Sequence, residues 1–148
     1  MGDKIHPLTK VFICRAWGSV EFVVRSTGSC PAEDFWNEIE EVREGKRDDE
    51  GGNAKAKFTD LFRQLATDGT LPAKRLVSED GFSAVKLKVA NVQIRFPCFV
   101  EHKKWIVTHG FKKPGGKKGR GPWPQREIEK TQQIRGEYFL RKKELASK

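Results

Sequence analysis

The period of the apolar residues changes at Phe82, and this change constrains the fold more than any other feature of the sequence. Between residues 31 and 69, apolar residues recur at three- and four-residue intervals, which is typical of amphipathic helices. After Phe82, Val85, Leu87 and Val89 alternate with polar residues, which is typical of strands. The sequence therefore predicts an α+β fold in which helices cover one face of an antiparallel sheet.

Two helices are predicted upstream of the period change. Pro31 suits the first turn of a helix, and Gly45 ends that helix. A second helix begins after Asn53, a residue type that caps helix N-termini, and it stops at Gly69. The polar loop between the two helices indicates an αα-hairpin.

Three consecutive antiparallel strands are predicted after the period change. They are AVKLKV, VQIRFPCFVE and WIVTHGF, with turns at Asn91 and at residues 103–104. Pro97 has no backbone N–H to donate, which predicts a sheet edge or a bulge at that point. A final helix is predicted from near Pro124 to about Leu145.

The first 19 residues are predicted to form an arm or an extra strand. The run VEFVV favours a strand, and Lys10–Cys14 is a second β-like run before it. A hairpin between the two is one interpretation, and a single strand after an irregular arm is the other. The main domain then spans residues 20–148, with a basic loop at residues 112–123.

Positive charge is concentrated in the last third of the chain. Residues 102–148 hold 14 Lys and Arg against 4 Asp and Glu, whereas residues 1–101 hold 15 against 16. The C-terminal region therefore supplies the whole of the formal net charge of +9. Because aromatic residues are interleaved with the charges, a phosphate-bearing partner such as RNA is favoured over a solvated basic tail.

The cations of the predicted strands form a candidate site with one histidine. Strand alternation puts Lys86 and Lys88 on one face; Arg95 lies on the next strand, and His109 ends the third. If these groups converge, the cations can stabilise charge on an RNA phosphate while the imidazole transfers protons. The structural alternatives are exposed strand lysines, an ion-paired arginine and a histidine that caps a backbone carbonyl. The loop adds the candidate phosphate-binding residues Lys112, Lys113, Lys117, Lys118 and Arg120.

No metal, cofactor or membrane site is predicted. The carboxylates concentrate in residues 33–50 and are spaced like a solvated helix face, and the sequence has no P-loop. Cys14, Cys30 and Cys98 are odd in number and far apart, which indicates buried thiols in a reducing cytosol. No apolar run is long enough for a membrane span, so a cytoplasmic location is predicted.

The segment VKLKVANVQIRFPCFVEHKKWIVTHGFKKP resembles the signature region of the RelE/ParE toxin superfamily, and most of all its phage-derived HigB-like branch. That branch has a short basic strand, a strand that carries arginine, and an apolar strand ending in His-Gly-Phe and a Lys-Lys pair. A proline and a charged helix follow, as in PWPQREIEKTQQIRGEYFLRKKEL here. The resemblance covers roughly residues 20–143.

This resemblance implies a RelE-like fold, with an N-terminal strand and an αα-hairpin followed by an antiparallel β-meander and a C-terminal helix. It also implies a ribosome-dependent, metal-independent mRNA endoribonuclease, the toxin of a type II toxin–antitoxin system. The implied partners are mRNA on the ribosome and a cognate antitoxin, expected to be a helix-turn-helix protein. The positions that match the family motifs are Lys86, Lys88, Arg95, His109, Lys112 and Lys113.

The chain departs from the family pattern in its basic strand and in its loop. The family usually has Glu-Leu-Arg where this chain has Lys86-Leu87-Lys88, and residues 115–123 lengthen a loop that is usually short. Two alternatives therefore stay open. One is a binding module without catalysis, either a ParE-like gyrase poison or a phage-derived nucleic-acid-binding protein. The other is an inactive remnant kept as a DNA-binding autoregulator.

Overall fold

The computed structural model describes residues 6–39, 53–79, 81–89, 92–113 and 123–147. Within these ranges, seven strands form one sheet, and three helices pack against it. The strands are β1 (Thr9–Cys14), β2 (Ser19–Val23), β3 (Leu76–Glu79), β4 (Phe82–Val89), β5 (Val92–Glu101), β6 (Lys104–Val107) and β7 (Phe111–Lys113). The helices are α1 (Pro31–Glu38), α2 (Ala54–Asp68) and α3 (Gln125–Ala146).

The strand order is β1-β2-β6-β5-β4-β3, and β7 pairs with β5. Strands β4, β5 and β6 pair antiparallel in sequence order, which confirms the predicted meander. Strand β2 instead pairs parallel to β6, so the expectation of an entirely antiparallel sheet is wrong. The long connection through α1, α2 and the meander permits this parallel pairing, which a short hairpin loop does not.

The N-terminal residues form a hairpin with the first strand of the main domain. Strand β1 pairs antiparallel with β2, from Thr9 opposite Val23 to Cys14 opposite Ser19. The register shifts between Val11 and Ile13, which marks a bulge in this edge strand. The sheet therefore extends beyond the predicted main domain by one strand.

Helix α2 has the two ends that its sequence predicts. The side-chain oxygen of Asn53 accepts a hydrogen bond from the backbone N–H of Ala56 at 2.8 Å. Gly69 adopts a φ of 81°, and its N–H donates to the carbonyl of Leu65. The predicted helix end at Gly45 lies outside the described residues. Helix α3 starts directly after Pro124 and ends at Ala146, close to the predicted bounds.

Pro97 lies in the central strand β5, so the predicted sheet edge is wrong. The β4–β5 register is unbroken there, and the sheet is interrupted on the other side of β5, between β6 and β7. Pro97 pairs with Ala84 of β4 on one side of the strand. On the other side, its carbonyl accepts a hydrogen bond from the N–H of Thr108, in the irregular segment between β6 and β7. Because the N–H and C=O of a strand residue point to the same neighbour, the missing N–H faces this interruption.

Helices cover both faces of the sheet, so the expectation that they lie on one face only is wrong. Helices α1 and α2 pack on the face that we call the hairpin face, with Phe58, Phe62 and Phe96 in one large apolar cluster. Helix α3 packs on the opposite face, which we call the α3 face. The α3 face holds two small clusters. Their members are Val23, Phe99, Ile106, Ile134 and Tyr138 in one, and Phe82, Ala84, Phe111, Trp123 and Ile128 in the other.

Candidate functional site

The strand register brings four of the predicted site cations onto the α3 face. Lys86 lies opposite Arg95 in the β4–β5 pair, and Lys88 lies opposite Gln93. Gln93 in turn lies opposite Lys113 of β7. Because residues directly opposite each other share a face, and so do residues two apart along a strand, all of these side chains project to the same side.

The remaining predicted phosphate-binding residues do not join this group in the described structure. Lys112 lies opposite Ile94, one position out of phase with Arg95, so it projects to the hairpin side and is exposed. Lys117, Lys118 and Arg120 lie outside the described residues. The adjacent residues Lys112 and Lys113 thus serve opposite sides of the sheet, as the two-residue period of a strand requires.

Arg95 is buried beside the residue that leads into α3. Its guanidinium lies over the ring of Trp123 at 5.7 Å, and one of its nitrogens is 3.5 Å from the side-chain oxygen of Gln93. A buried cation needs such partners, since an aromatic face and an amide oxygen replace part of its lost hydration. Lys86 is half-buried and Lys88 is exposed, so the exposure of the cations rises from Arg95 on β5 to Lys86 and then to Lys88 on β4.

His109 is covered by the first turn of α3 and is only 1 % exposed. Its Nε2 lies 3.0 Å from the carboxylate of Glu127, and its Nδ1 lies 2.9 Å from the hydroxyl of Thr108. The carboxylate can only accept, which assigns a ring proton to Nε2. In the neutral ring Nδ1 then accepts from the Thr108 hydroxyl, whose oxygen also lies 3.3 Å from the carbonyl oxygen of Pro97. Both ring nitrogens of His109 are therefore engaged within the protein.

Burial lowers the pKa of His109 from 6.5 to about 4. The positive charge of Lys130 contributes to this lowering, whereas the hydrogen bond and charge of Glu127 act in the opposite direction. The imidazole is accordingly neutral at pH 7. In this structure the imidazole is closed to solvent.

An open depression lies beside this covered region, at the β3–β4 side of the sheet. It has a volume of about 190 Å³ and we call it the basic groove. Its lining residues are Lys74, Arg75, Lys86, Leu87, Lys88 and Gln93. Four of the six are cations and none is an acid, so the groove suits a phosphate group.

Sequence reasoning missed Lys74, Arg75 and Glu127. The first two precede β3, a four-residue strand whose pairing with β4 puts Arg75 next to Lys86. Recognising LVSE as a strand would have revealed them. Glu127 had a weaker signal, since it is an acid in the first turn of the helix that follows the histidine.

Metal binding and thiol chemistry were the other kinds of site to consider in the described part of the chain. Among the residues that the structure describes, no three His, Cys, Asp or Glu side chains are grouped to hold a metal ion. Cys30 and Cys98 are buried as predicted, and burial raises the pKa of Cys98 to about 12. Cys14 is exposed on the edge strand β1, so the expectation of a buried thiol is wrong there.

In the same described ranges, no helix combines the length and the apolar character that a membrane span requires. Comparisons of the chain with protein-family models, with curated proteins and with solved structures found no match. The chemistry open to this chain therefore follows from the residues of the basic groove and from the environment of His109.

Proposed function

We propose that this chain is the toxin of a type II toxin–antitoxin system and acts as a ribosome-dependent, metal-independent mRNA endoribonuclease of the RelE-like class. The observation that carries the proposal is the group of Lys86, Lys88 and Arg95 on neighbouring strands, next to an open groove. The order of strand, two helices, antiparallel meander and C-terminal helix supports it, because the family resemblance implies that order.

Cleavage of this kind begins when a 2′-hydroxyl of the mRNA attacks the adjacent phosphorus and the 5′-oxygen leaves. Negative charge grows on the phosphate oxygens, and Lys86 and Lys88 are the accessible cations that can stabilise it. Arg95 lies behind them, opposite Lys86, and adds its positive charge to the same site. These cations supply electrostatic stabilisation without a metal ion.

Proton transfer is the second requirement of the reaction. His109 is the predicted acid or base, but Thr108 and Glu127 occupy both of its nitrogens. In our proposal, binding to the ribosome displaces the first turn of α3 and frees the imidazole. Without that displacement, the cations can still stabilise the charge on the phosphate, but no free imidazole is available to transfer the proton.

Mapping of mRNA 5′ ends after expression of the protein tests this function. We expect new 5′ ends inside translated codons, and we expect the variant Lys86→Gln/Lys88→Gln to lose them, since each such cation contributes roughly 10²–10³-fold to the rate. The matched control is Lys103→Gln/Lys104→Gln, which removes two exposed charges at the other end of the sheet. Absence of new 5′ ends with the wild-type protein would contradict the proposal.

A cognate antitoxin is part of the proposal. We expect a small helix-turn-helix protein, encoded beside this chain, that binds the toxin in the cytoplasm and silences it. Co-expression of that neighbour should abolish the new 5′ ends and the growth arrest. A neighbouring gene that leaves both unchanged would argue against a toxin–antitoxin pair.

A binding module without catalysis is the second candidate, and the burial of His109 favours it. A neutral, inaccessible imidazole with a pKa of about 4 suits a structural residue. Expression of the wild-type protein beside the double variant His109→Ala/Arg95→Ala separates the two candidates. New mRNA 5′ ends that vanish in the variant would indicate the nuclease. Growth arrest with intact mRNA and altered DNA supercoiling would indicate a ParE-like gyrase poison. Nucleic-acid binding without arrest would indicate a phage-derived binding protein or an autoregulator.

A further inference from the structure

Two cations of the basic groove, Lys74 and Arg75, come from a turn that the backbone holds in place. The N–H groups of Arg75 and Leu76 both donate to the carbonyl of Pro72, at 2.8 and 3.1 Å. The carbonyl of Arg75 accepts a hydrogen bond from the N–H of Lys86 at 2.8 Å. The turn is thus fixed to β4, and the backbone of Arg75 is held next to that of Lys86.

We propose that Lys74 and Arg75 form a second phosphate-binding site, which lets the basic groove hold two successive phosphates of single-stranded RNA. This inference rests on the proposed function and names residues that neither the strand alternation nor the family motifs include. Lys86 and Lys88 bind the first phosphate, at the cleavage site. Lys74 and Arg75 bind its neighbour and fix the position of the strand.

The chemistry of the lining favours phosphate. Arginine offers a planar fork of donors, and lysine offers a compact charge, so together they suit the tetrahedral oxygens of a phosphodiester. The other two lining residues are Gln93, whose amide can donate or accept, and Leu87, which is buried. No carboxylate lines the groove to oppose an anion.

The dimensions suit consecutive phosphates of one nucleic-acid backbone, and the lining does not suit a membrane. Arg75 and Lys86 lie side by side on paired segments about 4.8 Å apart, and Lys88 is about 6.6 Å further along β4. Such a compact group can contact consecutive phosphates of one backbone. A lipid surface would find no exposed apolar side chain here to insert, because Leu87 is 9 % exposed.

Fluorescence anisotropy with a labelled oligoribonucleotide of about ten nucleotides tests the inference, measured at several salt concentrations. The variants are Lys74→Gln/Arg75→Gln, Lys86→Gln/Lys88→Gln and the control Lys103→Gln/Lys104→Gln. Each removes two positive charges, so the long-range attraction of RNA falls equally in all three. Glu101, opposite Lys104, lies six residues beyond Arg95 along β5, and Arg95 is opposite Lys86, which puts the control pair about 20 Å from the near end of the groove.

We expect Lys74→Gln/Arg75→Gln to weaken RNA binding roughly tenfold, while the control stays within about twofold of wild type. The slope of log affinity against log salt should fall in magnitude by about 0.7 in Lys74→Gln/Arg75→Gln, because one phosphate of the single strand is no longer neutralised. Lys74 is exposed and Arg75 half-exposed, so the variant should keep its circular dichroism spectrum.

Two results overturn the inference, and they differ in what they say of the proposed function. If Lys74→Gln/Arg75→Gln binds RNA as the control does, while Lys86→Gln/Lys88→Gln binds weakly, the second site is absent and the proposed function stands. If the wild-type protein binds RNA no more tightly than Lys74→Gln/Arg75→Gln and Lys86→Gln/Lys88→Gln do, both the inference and the proposed function fail.

Discussion

The two faces of the sheet are built on different principles. The hairpin face carries one continuous apolar cluster in which the ring of Phe62 contacts those of Phe58 and Phe96. The α3 face carries two small apolar clusters, and polar groups such as Arg95 and His109 are buried among them. The first face therefore supplies most of the apolar burial that stabilises the fold, and the second carries the groups with chemistry.

Burial of polar groups on the α3 face costs free energy unless each has a partner. Glu21 accepts hydrogen bonds from the hydroxyls of Ser19 and Thr9. His109 is held by Thr108 and Glu127 in the same way. A face that replaces apolar contacts with such groups is where functional residues are expected, and the basic groove opens on this face.

The largest effect should come from removing an aromatic ring from the hairpin face. Phe62 is fully buried and contacts five other rings, so Phe62→Ala should lower the free energy of unfolding by about 3–5 kcal/mol. Phe99→Ala on the α3 face should cost at least about 1 kcal/mol less, because Phe139 beside it is partly exposed and can move into the space.

Urea unfolding of both variants measures this difference. An equal or larger loss for Phe99→Ala would mean that the two faces contribute alike, and the proposed division of roles would be wrong. A double variant should show additive losses, since the two rings lie on opposite faces without shared contacts.

A smaller effect should come from the titration of His109. Its pKa is about 4 in the folded protein and 6.5 when unfolded, so the unfolded chain binds the extra proton first as the pH falls. The contribution of His109 to the stability of the fold is therefore fully present above pH 6.5 and is lost between pH 6.5 and 4. From pH 7 to pH 5, the free energy of unfolding should fall by about 2 kcal/mol.

Urea unfolding at the two pH values checks this loss, with two asparagine variants for comparison. His109→Asn should remove most of the pH dependence, whereas His102→Asn, at an exposed turn, should keep it. The pKa values of Glu101 and Glu137 are lowered from 4.5, so the stabilisation from these carboxylates is lost only below pH 4.5, outside the range from pH 7 to pH 5. A wild-type stability that is the same at pH 7 and pH 5 would mean that His109 is accessible to solvent.

Much of the fold could be predicted because its signals are local. The caps of α2 depend on Asn53 and Gly69 alone, and the alternation around Leu87 identifies β4 as a strand. The parallel pairing of β2 with β6 joins segments about 80 residues apart, so no local pattern contains it. The short strand β3 has too few residues to show a period.

The site could be predicted in part for the same reason. The two-residue period puts Lys86 and Lys88 on one face, and the structure confirms that placement through their register with Arg95 and Gln93. The burial of His109 depends on α3, whose apolar residues Ile128 and Ile134 give only a weak pattern in the sequence. A pKa shift that arises from tertiary burial has no signature in the residues adjacent to the histidine.

Amide chemical-shift mapping with an oligoribonucleotide tests most directly the claim that the open part of the α3 face is the functional surface. We expect the largest shifts at Lys74, Arg75, Lys86, Lys88 and Gln93, with small changes at Lys112 on the other side of the sheet. Shifts confined to Lys112 and the hairpin face, or no shifts at all, would contradict the account.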